Sequence, residues 1–246
     1  NKKTLIFILL FLLILPACWS LFKPGFFVSD DGEWMVIRLS DFHRSFVSGQ
    51  IPVRWAARLN YSYGYPVFNF LYPLSLYGGE IFRILGFSFV NSIKLVFIFS
   101  FFLSGFLMYL FGAALWGKWG GLVAAIFYVY APYRFLDVYV RGSLGEALGF
   151  VFIPLIFLSL FRLHQKISNR WLAMGALALA ALIMSHNIMA LLFMPIVLIY
   201  AGLLVWTSRQ KRSLAVSYLS FFLLGLGLSC FFWLPAFYDK QFIVLD

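Results

Sequence analysis

Long apolar runs dominate the chain, and short basic or long aromatic-polar stretches separate them. The first runs from Thr4 to Phe22, behind Lys2 and Lys3; others cover 91–113, 119–133, 147–163, 171–185, 188–206 and 214–235. A membrane-crossing helix needs about 20 apolar residues. Strands of a membrane barrel instead alternate with a period of two over about ten residues, and these runs do not. The pattern predicts an all-α polytopic membrane protein of about seven transmembrane helices. Between the first two runs, the periodicity changes. Met35, Leu39, Phe42 and Phe46 recur at helical spacing, with Arg38, Asp41, Ser45 and Ser48 on an opposite polar stripe. This predicts a juxtamembrane amphipathic helix over 33–48, suited to lying on a membrane surface and ended by Gly49. The segment 73–86 is moderately apolar but carries Glu80 and Arg83.

Composition excludes several classes. Hydrophobic residues make up 63% and charged residues 11%, whereas a soluble domain is about 25% charged. The hydrophobicity excludes a disordered chain, and two cysteines exclude a disulfide scaffold. Cys18 and Cys230 lie in apolar surroundings and read as unpaired structural residues. Leu15-Pro16-Ala17-Cys18 resembles a lipoprotein cleavage box, but the apolar run around it reads as an anchor. The net charge of +10 points to basic loops and membrane lipid, not to nucleic acid.

The charges also assign sides. If 73–86 does not cross and the N-terminus is cytoplasmic, Lys2, Lys3, Lys118, Arg162, Lys166, Arg170, Arg209, Lys211 and Arg212 all fall inside. All nine acids (Asp30, Asp31, Glu33, Asp41, Glu80, Asp137, Glu146, Asp239 and Asp246) fall outside. If 73–86 crossed, Arg162, Lys166 and Arg170 would face outward. The positive-inside rule selects the first arrangement, a multi-pass protein of the cytoplasmic membrane. Residues 1–246 then form a single transmembrane domain, with a first outer loop at 23–90 and a second at 134–146. Acids contribute little to topology, so their gathering on one face points to a site there.

The candidate chemistry sits in those loops. Asp30 and Glu33 fit a helix capping box. Asp31 is less needed for capping; with Asp30 it offers two adjacent carboxylates to a divalent metal ion such as Mg or Mn, or one general base to an acceptor hydroxyl. Tyr63 and Tyr65 flank Gly64 and read either as membrane-interface anchors or as stacking surfaces for a sugar. In the second loop, a helical path puts Arg134, Asp137 and Arg141 on one face. Asp137 and Arg141 then form an ion pair, or the arginines form an anion site that fits phosphate. Glu146 closes that loop. His186, in Ser185-His186-Asn187, is either a turn residue or part of the same cavity. HxE, CxxC, P-loop and GxGxxG patterns are absent from the sequence, which argues against zinc hydrolysis, ATP hydrolysis and a dinucleotide cofactor. His43 and His164 fall on opposite sides and form no ligand set.

An ordered series of short motifs carries a resemblance. It runs from Asp31-Gly32 through Gly49-Gln50-Ile51-Pro52-Val53-Arg54-Trp55, Tyr63-Gly64-Tyr65-Pro66, Tyr72-Pro73 and Ala131-Pro132-Tyr133-Arg134. It continues with Tyr139-Val140-Arg141-Gly142-Ser143 to Glu146, then Ser185-His186-Asn187 and Phe232-Trp233-Leu234-Pro235. The series resembles the bacterial membrane proteins labelled "6-pyruvoyl-tetrahydropterin synthase-related". With its acidic first outer loop, it also resembles the C-type (GT-C) glycosyltransferase superfamily. Trp34 departs from the pattern, which has a histidine after Asp-Gly. The length resembles that of an N-terminal module of a longer chain. The resemblance implies an inverting glycosyltransferase that moves a sugar from a polyprenyl-phosphate donor to an acceptor on the outer face. It implies Asp31 as base or metal ligand with Asp30 in support, Arg141 and Arg134 on the lipid phosphate, and Asp137, Glu146 and His186 lining the cavity. Two rivals stand beside it: a lipid or small-molecule transporter or flippase, and a non-catalytic membrane scaffold.

Overall fold

The computed structural model describes residues 2–242; Asp246, counted above among the outer acids, lies outside the described residues. Every regular element among them is helical. The chain enters through α1 (Lys2–Ile14), which tightens into a 3₁₀ segment, Leu15–Phe22, at Pro16. The first loop holds α2 (Gly32–Val47), the single turn α3 (Val67–Phe70) and α4 (Pro73–Ile84). Next comes α5 (Phe89–Val129), then α6 (Pro132–Phe135), running directly into a π-helical turn, Leu136–Arg141. The remaining helices are α7 (Leu144–Gln165), α8 (Asn169–Ser185), α9 (Asn187–Thr207), α10 (Lys211–Leu228) and α11 (Cys230–Asp239).

α5 is too long for one crossing, and it does not run straight. Gly117 breaks it with a left-handed φ of 75°, which glycine adopts without a Cβ penalty. The two halves, 89–116 and 118–129, then pack antiparallel. A Cβ on Gly112 would stand 2.9 Å from Ala124 Cβ, one on Gly121 2.6 Å from Tyr109 O, and one on Gly105 2.9 Å from Val129 Cγ2. Small residues allow this backbone approach, the usual way for helices to associate where lipid removes the hydrophobic drive.

The same reasoning orders the rest. Phe7 packs on Phe106 and Phe11 on Phe102, so α1 runs antiparallel to the first half of α5. Phe150 lies by Tyr128 and Phe157 by Phe111, which aligns α7 along the hairpin. α8 returns beside α7, and α10 packs parallel to α8, with Gly175 against Phe221 and Gly225 against Leu179. Two ends result. One gathers the first loop, 130–144, His186 and α11. The other gathers Gly117, the 165–169 turn and the 207–211 turn.

Among the described residues, four stretches are long and apolar enough to cross a membrane: Leu5–Phe22, Phe89–Val129, Leu144–Gln165 and Asn187–Thr207. The pair Lys211–Leu228 and Cys230–Phe242, bent by 63°, makes a fifth if counted as one span, and Asn169–Ser185 is shorter. The expected spans are all largely helical, but 91–113 and 119–133 share α5, 214–235 divides between α10 and α11, and the count that meets span length is four to five. α4, at 12 residues, is about 18 Å long and cannot cross about 30 Å of hydrocarbon. Instead it packs inside the protein: buried Glu80 meets His43 of α2 at 2.8 Å. α9 turns Leu191, Leu192, Ile196, Ile199, Leu203 and Trp206 outward. An apolar face this wide on one helix is what lipid contact requires.

α2 corrects one expectation. Its apolar stripe is buried as predicted at Met35, Leu39 and Phe42, but Asp41 and Ser45 are buried too. Asp41 Oδ2 accepts from the Arg58 amide, and Ser45 Oγ donates to Trp55 O. The polar stripe therefore holds the 50–58 segment. Only its ends stay open, Arg38 in part and Ser48 fully.

Candidate functional site

The two outer loops meet at the start of α2. The amides of Asp30 and Asp31 donate to the carbonyls of Val140 and Arg141, at 3.0 and 2.8 Å. Gly142 makes the contact possible. Its φ of 67° is left-handed, and a Cβ there would fall 2.5 Å from Gly32 N and 2.6 Å from Ser29 Oγ. The helix start differs from the predicted capping box. α2 begins at Gly32, whose amide donates to Ser29 Oγ (3.2 Å), and neither aspartate makes a side-chain cap. Asp30 and Asp31 are both exposed. Capping therefore leaves both carboxylates unused, beside the Arg141 backbone.

Arg141 centres the second loop. Its Nη1 donates to Glu146 Oε1 (2.8 Å), to the Tyr133 hydroxyl (3.0 Å) and to Asp137 Oδ1 (3.4 Å). Nε and Nη2 take no partner among the described residues, and the side chain is 37% exposed. One edge of the guanidinium is thus anchored by carboxylates while the other edge is open. That geometry suits bidentate capture of an anion. Tyr133 donates to Glu146 Oε2 at 2.6 Å.

Asp137 is fully buried, and among the described residues its Oδ2 has no partner. Burial, then the neighbouring Glu146 charge, pushes its carboxyl up to about 8, against the pull of Arg141 and Arg134. Two carboxylates sharing one guanidinium thus divide the charge unequally.

Arg134 is not placed as expected beside Arg141. The π-turn follows it directly, and its side chain is 1% exposed. The guanidinium is sandwiched between the rings of Phe101 and Phe150, at 4.8 and 4.6 Å. Among the described residues its three nitrogens have no hydrogen-bond partner, and burial lowers it to about 10. It underlies the site as a buried positive charge rather than opening onto it.

His186 combines both readings made of it. It caps α9, Nδ1 accepting from the Met189 amide at 3.1 Å. That bond fixes Nδ1 as the acceptor, so the neutral ring carries its proton on Nε2, 3.6 Å from Glu146 Oε1. Burial holds the imidazole below its ordinary range despite the Glu146 charge. Tyr72 packs its ring on His186 with centroids 4.6 Å apart.

The side chains of Arg141, Asp137, Glu146 and His186 thus meet, with Arg134 beneath, and Asp31 joins them through its backbone. Tyr63 and Tyr65 stand apart. They lie on a small turn pinned by the Ala56–Tyr65 bridge, with Tyr63 84% exposed. Among the described residues, no hydrogen bond or ring contact ties them to Arg141. Tyr133 and Tyr72 were missed as site residues; both stand within the motif series, but an aromatic near a membrane reads first as an anchor. Among the described residues, no three His, Cys, Asp or Glu side chains come together to hold a metal ion. Asp30 and Asp31 supply two adjacent carboxylates and no third protein ligand.

Residues 68–244 match the family model described as the 6-pyruvoyl-tetrahydropterin synthase related domain, membrane protein. The chain belongs to that family. The matched span takes in the whole second loop and His186 but begins after Asp30 and Asp31. An uncharacterised protein of Lactococcus lactis subsp. cremoris is 24% identical over 236 residues, covering 93% of this chain and 38% of the relative. This PTPS-related chain therefore spans well under half the length of that relative. As a family member, it is a membrane protein with several apolar helices.

Proposed function

We propose that the chain is the membrane module of a glycosyltransferase that takes a sugar from a polyprenyl-phosphate donor. The observation that carries this reading is the docking of the Asp31 amide on the Arg141 carbonyl at 2.8 Å. It joins through the backbone one residue with an exposed carboxylate and one whose guanidinium has an open edge. A transfer with inversion needs those two groups: one to accept a proton, one to hold the departing phosphate.

In this reading an acceptor hydroxyl attacks C1 of the sugar, and its proton passes to the Asp31 carboxylate. The bond between C1 and the phosphate oxygen breaks. Polyprenyl phosphate leaves with the bonding electrons, and Nε and Nη2 of Arg141 receive the charge. Glu146, Asp137 and Tyr133 hold Nη1 and fix the direction of the fork. Asp30 supports the turn. Among the described residues, Asp30 and Asp31 would offer a divalent ion two adjacent carboxylates.

The module is read as seven crossings of the cytoplasmic membrane, N-terminus inside, with the site on the outer face. α5 would supply one full crossing and, by folding back at Gly117, part of a second, and α8 a short one.

The test is transfer from a polyprenyl-phosphate sugar by the full-length protein. Asp31→Asn and Arg141→Ala should each lower the rate on the order of 10²-fold, with Arg141→Lys only partly restoring it. Normal transfer by the double variant would reject the reading. Lipid movement without transfer would support the transporter; neither activity would leave the scaffold.

A further inference from the structure

The opposite end of the bundle holds a second polar cavity, of about 520 Å³. The turns 165–169 and 207–211 form it, and His164, Lys166, Ser208, Arg209 and Gln210 line it. No Asp or Glu occurs in the sequence between Glu146 and Asp239. Among the described residues, no ion pair reaches any cation there. Arg162 Nη1 is taken by the neutral Gln165 amide oxygen at 2.9 Å, while Arg162 Nε and His164 Nδ1 are buried without partners.

Helix dipoles explain only part of this. Arg162 and His164 lie in the last turn of α7, where cations are favourable. Arg170, Lys211 and Arg212 lie in the first turns of α8 and α10, where cations are unfavourable, and neither start carries an acid or a side-chain cap. Basic loops alone satisfy the positive-inside rule and require no concavity. Here Lys166 and Arg209, with His164, border one cavity, together with a helix start at Gln210 that no side chain caps among the described residues. An anion in the cavity would answer Lys166, Arg209 and the helix start at Gln210 together.

We propose that this cavity binds a phosphate group, the phosphate of an anionic lipid or a free phosphate. Polar concavities lined by basic residues between membrane helices suit such head groups. Lys166 and Arg209 approach it from the two turns and join them through the ligand. The site is independent of the transferase reading.

Native mass spectrometry of the full-length protein tests it. Phosphatidylglycerol and phosphatidylcholine would be offered in equal amounts, with inorganic phosphate in a separate arm. A Lys166→Ala/Arg209→Ala variant would be compared with Arg44→Gln/Arg58→Gln, which removes two exposed cations at the other end. Retention of phosphatidylglycerol over phosphatidylcholine, weakened on the order of tenfold in the first variant and unchanged in the second, supports a lipid phosphate. Retention of inorganic phosphate with the same variant pattern supports a soluble one. Equal binding by wild type and both variants, equal loss in both, or no retention in either arm overturns the site. Thermal melting of each variant excludes unfolding as the cause of a loss. If the first variant does not fold, Lys166→Gln and Arg209→Gln taken singly, each about fivefold weaker, replace it.

Discussion

Arg134 and Asp137 show most clearly how a single residue's surroundings bear on the site. A guanidinium between two phenyl rings gains about 2 kcal/mol, less than the several kcal/mol lost on leaving water. Stability therefore does not account for Arg134. We expect Arg134→Met to melt at the same temperature as the wild type or higher, while transfer falls because the field on Asp137 and Arg141 is lost. A large drop in melting temperature would instead make Arg134 structural. Asp137 carries a pH signature. Its carboxyl is raised to about 8 in the fold, so between about pH 4 and 8 the folded state holds a proton that the unfolded state has released. The folded state then binds more protons, and stability falls as pH rises through that window. Asp137→Asn is neutral at every pH and should remove that part of the slope. Melting curves from pH 5 to 8.5 measure it; parallel slopes in the two proteins would refute it.

Among the elements, glycines decide which helices touch. The α5 hairpin depends on Gly121, where an added Cβ would meet Tyr109 O at 2.6 Å and the Ala113 amide nitrogen at 2.7 Å. Both are backbone atoms and cannot swing aside. Gly121→Ala should destabilise the protein by about 1–3 kcal/mol, whereas Gly202→Ala, which meets nothing within 4 Å, should not. Equal melting temperatures for the two would mean that the halves of α5 do not pack as described. At this scale the sequence was largely readable. Apolar length placed a helix at every expected span, and helical spacing placed α2 within one residue. What could not be read was set by contacts between distant segments. Ser29 took the cap assigned to Asp30 because the Asp30 and Asp31 amides dock on Val140 and Arg141. The stripe through Asp41 and Ser45 turned inward because the 50–58 segment needed partners. Periodicity put Arg134 with Arg141, but the π-turn and two rings from different helices closed over it.

Across the whole molecule, the two ends divide the chemistry. Carboxylates and one half-open arginine gather at the end where both long loops meet. Cations without partners gather at the other. The asymmetry of charge in the sequence foretold this division, since each crossing moves the next loop to the opposite face. The pairing of Asp31 with Arg141 was legible only as two candidates, because 110 residues separate them and no periodicity links positions so distant. A structure of the full-length protein in lipid with polyprenyl phosphate added tests that pairing. Phosphate density within about 3 Å of Arg141 Nε and Nη2, beside the Asp31 carboxylate, is the expected result. Phosphate held elsewhere, with Asp31 and Arg141 facing only solvent, would contradict it.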